Sequence, residues 1–213
     1  RVLLPWVDGE TEVMQDFCLA VYPGKQYAFV GQNGCGKSTV IKLLTGLYND
    51  YSGQILLNGR DIRSLSAAEI KAYFAVVYQD YGKYQLPVRE QLQLGNADLA
   101  DPEIAALLEQ TGLAQKVGSL PLGADTPLGK LEPGSADLSA GQWQRLALAR
   151  SFGRQARFLV LDEPAAALDA LAESRVYRVI RDIGATRCTT TLYVTHRLAA
   201  ARSADEIIVM KDG

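Results

Sequence analysis

Apolar and polar positions follow two different periods along the chain. Residues 2–7 and 13–21 are rich in apolar side chains and read as strands, and Pro23-Gly24 supplies a turn after them. Residues 26–30 form a short apolar run ending at a glycine-rich loop, and 38–47 then switch to helical periodicity. Strands are predicted at 54–57 and 75–78, with Asn58-Gly59 as a turn after the first. Between them, 66–73 predicts a helix capped by Ser66, with Glu69 three residues on as its reciprocal partner.

The middle third changes character. Asp101 can cap a helix over 102–110 with Pro102 at its first position. Polar loops with glycine and proline surround that helix, and β-branched residues are scarce, so 81–152 reads as a mainly helical insertion. From 157 the pattern returns: strand at 158–161, helix at 172–183, strand at 189–194, a short helix, then strand at 206–210. Strands alternating with helices predict an α/β fold with a mostly parallel sheet covered on both faces. The expected division is therefore a core made of 1–80 and 153–213, interrupted by a helical subdomain at 81–152.

Composition narrows the classes. The 213 residues are 48% hydrophobic and 22% charged, an ordinary globular mix for one sizeable core. A net charge of −2 argues against a protein that lives by neutralising nucleic-acid phosphates, and no nucleic-acid partner is expected. No stretch approaches the ~20 apolar residues that a membrane helix needs. Three widely spaced cysteines, Cys18, Cys35 and Cys188, suit a reducing compartment better than a disulfide framework. Lys211-Asp212-Gly213 reads as a hairpin turn without its second strand, so a longer parent chain is expected.

Gly31, Gln32, Asn33, Gly34, Cys35, Gly36, Lys37 and Ser38 fit the phosphate-loop pattern G-x-x-x-x-G-K-[ST], with Thr39 following. The glycines let successive backbone N–H groups point at one anion, and the helix start adds its positive end. Lys37 is expected to reach the β- and γ-phosphates, and the Ser38 hydroxyl to sit on Mg²⁺. Residues 158–161 are an apolar strand that runs into Asp162 and Glu163. By itself such a pair is more often a solvated strand end or a helix cap. Beside a phosphate loop, Asp162 completes a Mg²⁺ shell and Glu163 can deprotonate an attacking water.

Leu138, Ser139, Ala140, Gly141 and Gln142, followed by Trp143, Gln144 and Arg145, resemble the signature sequence of ABC ATPases, normally Leu-Ser-Gly-Gly-Gln. The resemblance covers essentially the whole chain. It implies a RecA-like core with an N-terminal antiparallel β region and the inserted helical subdomain. It also implies ATP and Mg²⁺ as cofactors. Glu163, His196, Gln79 and Lys37 are then the expected catalytic residues, and Ser38, Gln79 and Asp162 the metal set. In the family, the N–H groups of Ala140 and Gly141, with Ser139 and Gln142, face the γ-phosphate of a partner motor. Asp169 matches the loop that crosses that interface, and Trp6 stands where an aromatic stacks on adenine, twenty-five positions before Gly31 (31 minus 6).

The resemblance is strongest to bacterial exporters at residues 78–90 and 123–129. It implies an exporter motor at the cytoplasmic face of the plasma (inner) membrane, paired with a second nucleotide-binding domain, identical or not, and with a transmembrane domain. A soluble ABC ATPase acting on DNA or ribosomes, and an importer subunit, are the competing readings. Three positions depart from the family pattern. Ala140 replaces the usual first glycine, Ala165 and Ala166 replace Thr-Ser near the interface, and Pro133 stands where exporters usually carry glutamate. Cys35 lies among N–H groups and near Lys37, which favour negative charge, so it is expected to take maleimide faster than Cys18 and Cys188, both expected on strands.

Overall fold

The computed structural model describes residues 3–4, 11–12, 14, 17–130 and 133–211. Two residue pairs, β1 (Leu3–Leu4) and β2 (Thr11–Glu12), form a small antiparallel ladder with Leu3 opposite Glu12. β3 (Gln26–Gly31) leads through the glycine-rich loop into α1 (Lys37–Leu44). A hairpin of β4 (Leu56–Leu57) and β5 (Arg60–Asp61) follows. Its turn residues Asn58 and Gly59 have φ of 52° and 80°, the doubly left-handed geometry that matches strand twist. Next come α2 (Ala67–Tyr73) and β6 (Phe74–Val77). The expected capping box opens α2: Ser66 Oγ accepts from Glu69 N at 3.2 Å, and Glu69 Oε2 accepts from Ser66 N at 2.8 Å.

Between β6 and residue 158 the described residues hold helices and no strand: α3 (Val88–Gln93), α4 (Asp101–Gln110), α5 (Ala114–Gly118) and α6 (Ala140–Gly153). The chain closes with β7 (Phe158–Asp162), α7 (Ala170–Arg187), β8 (Thr190–Val194), α8 (Leu198–Ala201) and β9 (Glu206–Met210). Five strands make one parallel sheet in the order β6-β7-β8-β3-β9. Alternation along β3 explains how both faces are filled. Tyr27 and Phe29 join Val40, Ile41 and Val160 under α1, whereas Ala28 joins Leu159, Leu161, Tyr193 and Ile180 on the opposite face. Helical residues such as Leu92, Leu107 and Leu148 belong to this second cluster, so the helical stretch shares the core of the sheet face it covers.

Four expectations need correction. Of the strand expected at 13–21, the described residues 17–21 form no strand: Leu19 and Val21 pack inward at a spacing of two, but no described neighbour pairs their backbone. Asp101 does not cap α4. It is the first helical residue and pairs with the Arg89 guanidinium, while Glu103 Oε2 reaches back to Ala100 N at 3.0 Å. Cys188 lies on no strand but ends α7 in a left-handed conformation (φ 52°), which starts β8 two residues later, and Cys18 sits in the 17–22 loop. The 54–57 strand is confined to its last two residues. No helix among the described residues is long and apolar enough to cross a membrane.

Candidate functional site

The order of the sheet sets the site. The C-terminal ends of β3, β6, β7 and β8 point the same way, so the loops that leave them converge on one edge, where open parallel sheets bind ligands. At the end of β3, Gly31 lies so close to β9 that a Cβ there would stand 2.3 Å from the Met210 carbonyl oxygen and 2.8 Å from Cys35 Sγ. Only glycine fits. The loop turns through left-handed Gly34 and Gly36 (φ 85° and 93°) into the positive end of α1. Lys37 is buried, and its ammonium donates to the carbonyls of Gly31 at 2.9 Å and Gln32 at 2.6 Å.

Asp162 ends β7, and Ser38 Oγ donates to its Oδ2 at 2.9 Å. Burial raises the Asp162 carboxyl above the usual carboxylate range; the Ser38 hydrogen bond opposes this and the Glu163 charge adds to it. A bound cation would relieve that cost. Ser38, Gln79 and Asp162 all line one cavity and offer only hard oxygen donors. The described residues contain no cluster of three His, Cys, Asp or Glu able to cage a metal alone. One carboxylate and a hydroxyl beside a phosphate loop instead suit Mg²⁺, which keeps waters and shares substrate phosphates.

Glu163 follows in a left-handed conformation (φ 51°), which costs a residue with a Cβ roughly 1–3 kcal/mol unless its surroundings hold it there. Its N–H donates to the Val194 carbonyl at 3.2 Å, and its own carbonyl accepts from Gln144 Nε2 at 2.9 Å. The turn swings the carboxylate toward the loop after β8, where His196 Nε2 lies 2.8 Å from Glu163 Oε1. Behind them the Arg197 guanidinium pairs with Glu173 of α7. A cavity of about 510 Å³ brings together Asn33, Gly34, Gly36, Lys37, Ser38, Thr39, Gln79, Asp162, Glu163 and His196, with Val194 on its wall.

Other expected residues lie elsewhere. Gln32 and Cys35 line a smaller cavity of about 180 Å³ with Lys211. Ser139 caps α6, its Oγ accepting from Gln142 N at 3.3 Å while Gln142 Oε1 accepts from Ser139 N at 2.9 Å. Ala140 and Gly141 form the first turn behind it. Asp169 caps α7 through Ala172 N and Leu171 N at 2.9 and 3.0 Å, bonds that hold its carboxyl below the usual range. None of these residues lines the 510 Å³ cavity. Within the chain, Ser139 and Asp169 do the work of helix caps. Ala165 is buried among apolar neighbours, so only Ala166 of that pair lies at the surface. Trp6 lies outside the described residues.

The cysteines differ in access, and the two expected on strands are the exposed ones. Cys35 is 7% exposed, whereas Cys18 and Cys188 are exposed, and this limited access opposes the favourable charge around the loop. Cys18 and Cys188 are expected to take maleimide first, with Cys35 slower and slower still under MgATP. Peptide-resolved mass spectrometry of a labelling time course checks this, and a Cys35 rate above the other two would contradict the burial.

Known proteins agree with this geometry. The sequence profile of the ABC transporter family matches residues 14–166. Over 204 residues the chain is 35% identical to the mitochondrial iron-sulfur clusters transporter ATM1 of Saccharomyces cerevisiae, covering 96% of this chain and 29% of that protein. Over 212 residues it is 34% identical to the subtilin transport ATP-binding protein SpaT of Bacillus subtilis, covering 95% and 33%. It superposes on a solved bacterial Atm1-family ABC exporter with ATP bound at a TM-score of 0.88 and 29% identity, covering 100% of this chain and 36% of that one.

This chain belongs to the ABC transporter family and is an ATP-binding, ATP-hydrolysing domain of it. It spans about a third of the length of these relatives. Sequence reasoning gave no role to Gln144, whose buried amide meets the Glu163 backbone. Nothing in the linear pattern marks that contact.

Proposed function

We propose that this domain is the motor of a bacterial exporter, closing head-to-tail with a second such domain on two ATP molecules at the cytoplasmic face of the inner membrane. The observation that carries the catalytic part is the 2.8 Å Glu163–His196 pair in the cavity that also holds Lys37 and the Ser38–Asp162 bond. Lys37 and the loop N–H groups bind the β- and γ-phosphates. Ser38, Asp162 and Gln79 would hold Mg²⁺, which would neutralise phosphate charge when bound. Glu163 takes the proton of the attacking water, and His196 orients the Glu163 carboxylate and contacts the γ-phosphate. The exporter assignment is supported by the relatives, whose names are those of a transporter, a transport ATP-binding protein and an exporter.

The signature residues Ser139, Ala140, Gly141 and Gln142, with Asp169, lie away from the chain's own phosphate cavity, which supports a site shared between two copies. The helical stretch 81–152 is in this reading the subdomain that carries the signature and meets the transmembrane partner. Specific activity is then expected to rise with protein concentration until the dimer saturates, because each site lacks a partner's Ser139. Steady-state ATPase measured across a wide dilution range checks this. A specific activity that stays constant with dilution would exclude the shared site. Six apolar stretches of about 20 residues upstream in the parent gene would decide for the exporter over a soluble ATPase.

A further inference from the structure

Gln144 lies on α6, 4% exposed, and its single amide spans the loop that follows β7. Nε2 donates to the Glu163 carbonyl at 2.9 Å, and Oε1 accepts from Ala167 N at 2.9 Å. We infer that Gln144 is a positioning residue that fixes the aim of Glu163 by tying the signature helix to both ends of the 163–167 turn. This rests on the reading of Glu163 as the base.

Three observations carry it. Glu163 is a left-handed residue with a Cβ (φ 51°), a conformation that persists only where neighbours hold it. Its carbonyl accepts from both Gln144 Nε2 and Ala166 N, the latter at 3.2 Å, so the peptide plane that sets the Cα–Cβ direction is held partly from α6. One turn earlier on α6, a Cβ on Gly141 would stand 3.0 Å from the Ala167 carbonyl oxygen and 3.3 Å from Leu168 Cδ2. The start of α6 therefore packs against the same turn, and Gly141 and Gln144 share a helix face.

The chemistry needs an amide. One partner is a carbonyl and the other an N–H, and a side chain must offer a donor and an acceptor from one end to satisfy both. Since Ser139 opens the same helix, a shift of the signature against a partner's nucleotide reaches the base of its own chain through this contact. Gln144 lies outside the phosphate cavity, so its loss changes the position of the base and leaves the binding of ATP intact.

The test uses Gln144→Glu and Gln144→Met in the full-length protein. Gln144→Glu keeps the acceptor for Ala167 N but sets a buried carboxylate oxygen where the donor to the Glu163 carbonyl stood, whereas the uncharged Gln144→Met removes both bonds at similar volume. Both are expected to lower kcat about tenfold to a hundredfold, the scale of a misplaced reacting group, with the Kd for a fluorescent ATP analogue within about twofold. In single-turnover hydrolysis, adding Gln144→Met to Glu163→Gln is expected to cause no further loss, since both act through one group. Unchanged kcat in Gln144→Glu, a full additive loss in the double variant, or a Kd that rises as kcat falls would each overturn the inference. So would failure of both variants to fold, which would assign Gln144 to the fold. If Glu163→Gln itself turns over normally, it is the base reading that falls. If Glu163→Gln is dead and Gln144→Glu is fully active, the positioning role alone falls.

Discussion

Glu163→Gln is expected to lower steady-state ATP hydrolysis by about 10²- to 10⁴-fold, the range that a positioned general base contributes. The change is nearly isosteric, so the carbonyl bonds to Gln144 and Ala166 and the left-handed turn should survive. What is lost is the acceptor for a water proton, and the His196 contact at 2.8 Å becomes one to an amide. Lys37, the loop and the Ser38–Asp162 bond are untouched, so ATP affinity should stay within a few-fold of the original. Bound ATP that is not consumed should hold two domains together, seen as a doubled mass by light scattering with MgATP present. Turnover at the original rate would remove Glu163 from the chemistry.

Gly31→Ala is expected to cost both stability and nucleotide binding, for a steric reason. The added methyl would start 2.3 Å from the Met210 carbonyl oxygen, a backbone atom of β9 that cannot rotate away. Either β9 slides along β3, or the loop lifts at the point where Lys37 Nζ meets the Gly31 carbonyl. Overpacking of this kind costs about 1–3 kcal/mol, which for a chain of this size lowers the melting temperature by roughly 2–12 °C. Displacing the loop should weaken ATP binding about tenfold or more. Gly53→Ala is the control: that glycine is also left-handed (φ +92°), but nothing lies within 4 Å of its added Cβ. It should lower the melting temperature slightly and leave ATP affinity alone. Calorimetry with a titration of a fluorescent ATP analogue separates the two, and an unchanged Gly31→Ala protein would refute the close approach.

The alternation of strands and helices was legible because strands such as β7 are continuous apolar runs and helices such as α4 and α7 carry an apolar face. The phosphate loop, the acidic strand end and the signature were legible because their chemistry is confined to a few consecutive residues. Residues 17–21, within the strand expected at 13–21, misled because side-chain alternation reports which face is buried and says nothing of whether a backbone neighbour exists. The burial of Cys35 was illegible for a related reason. Sequence placed it among N–H groups, but exposure depends on how β9 and the loop pack around it.

Sequence by itself therefore determined the class of fold, the family and the candidate residues for holding phosphate and Mg²⁺, because these depend on local periodicity and short-range spacing. Tertiary structure decided what meets what. Ser38 reaches Asp162 across 124 positions of sequence because β3 and β7 both flank β8 and end at one edge of the sheet. Glu163 faces His196 because a left-handed turn at the end of β7, held from α6 by Gln144, points it there. The signature lies away from its own phosphate loop because α6 covers the helical side of the sheet while α1 covers the other. Such pairings arise from strand order and from which helix covers which face, and neither is written in the spacing of residues along the chain.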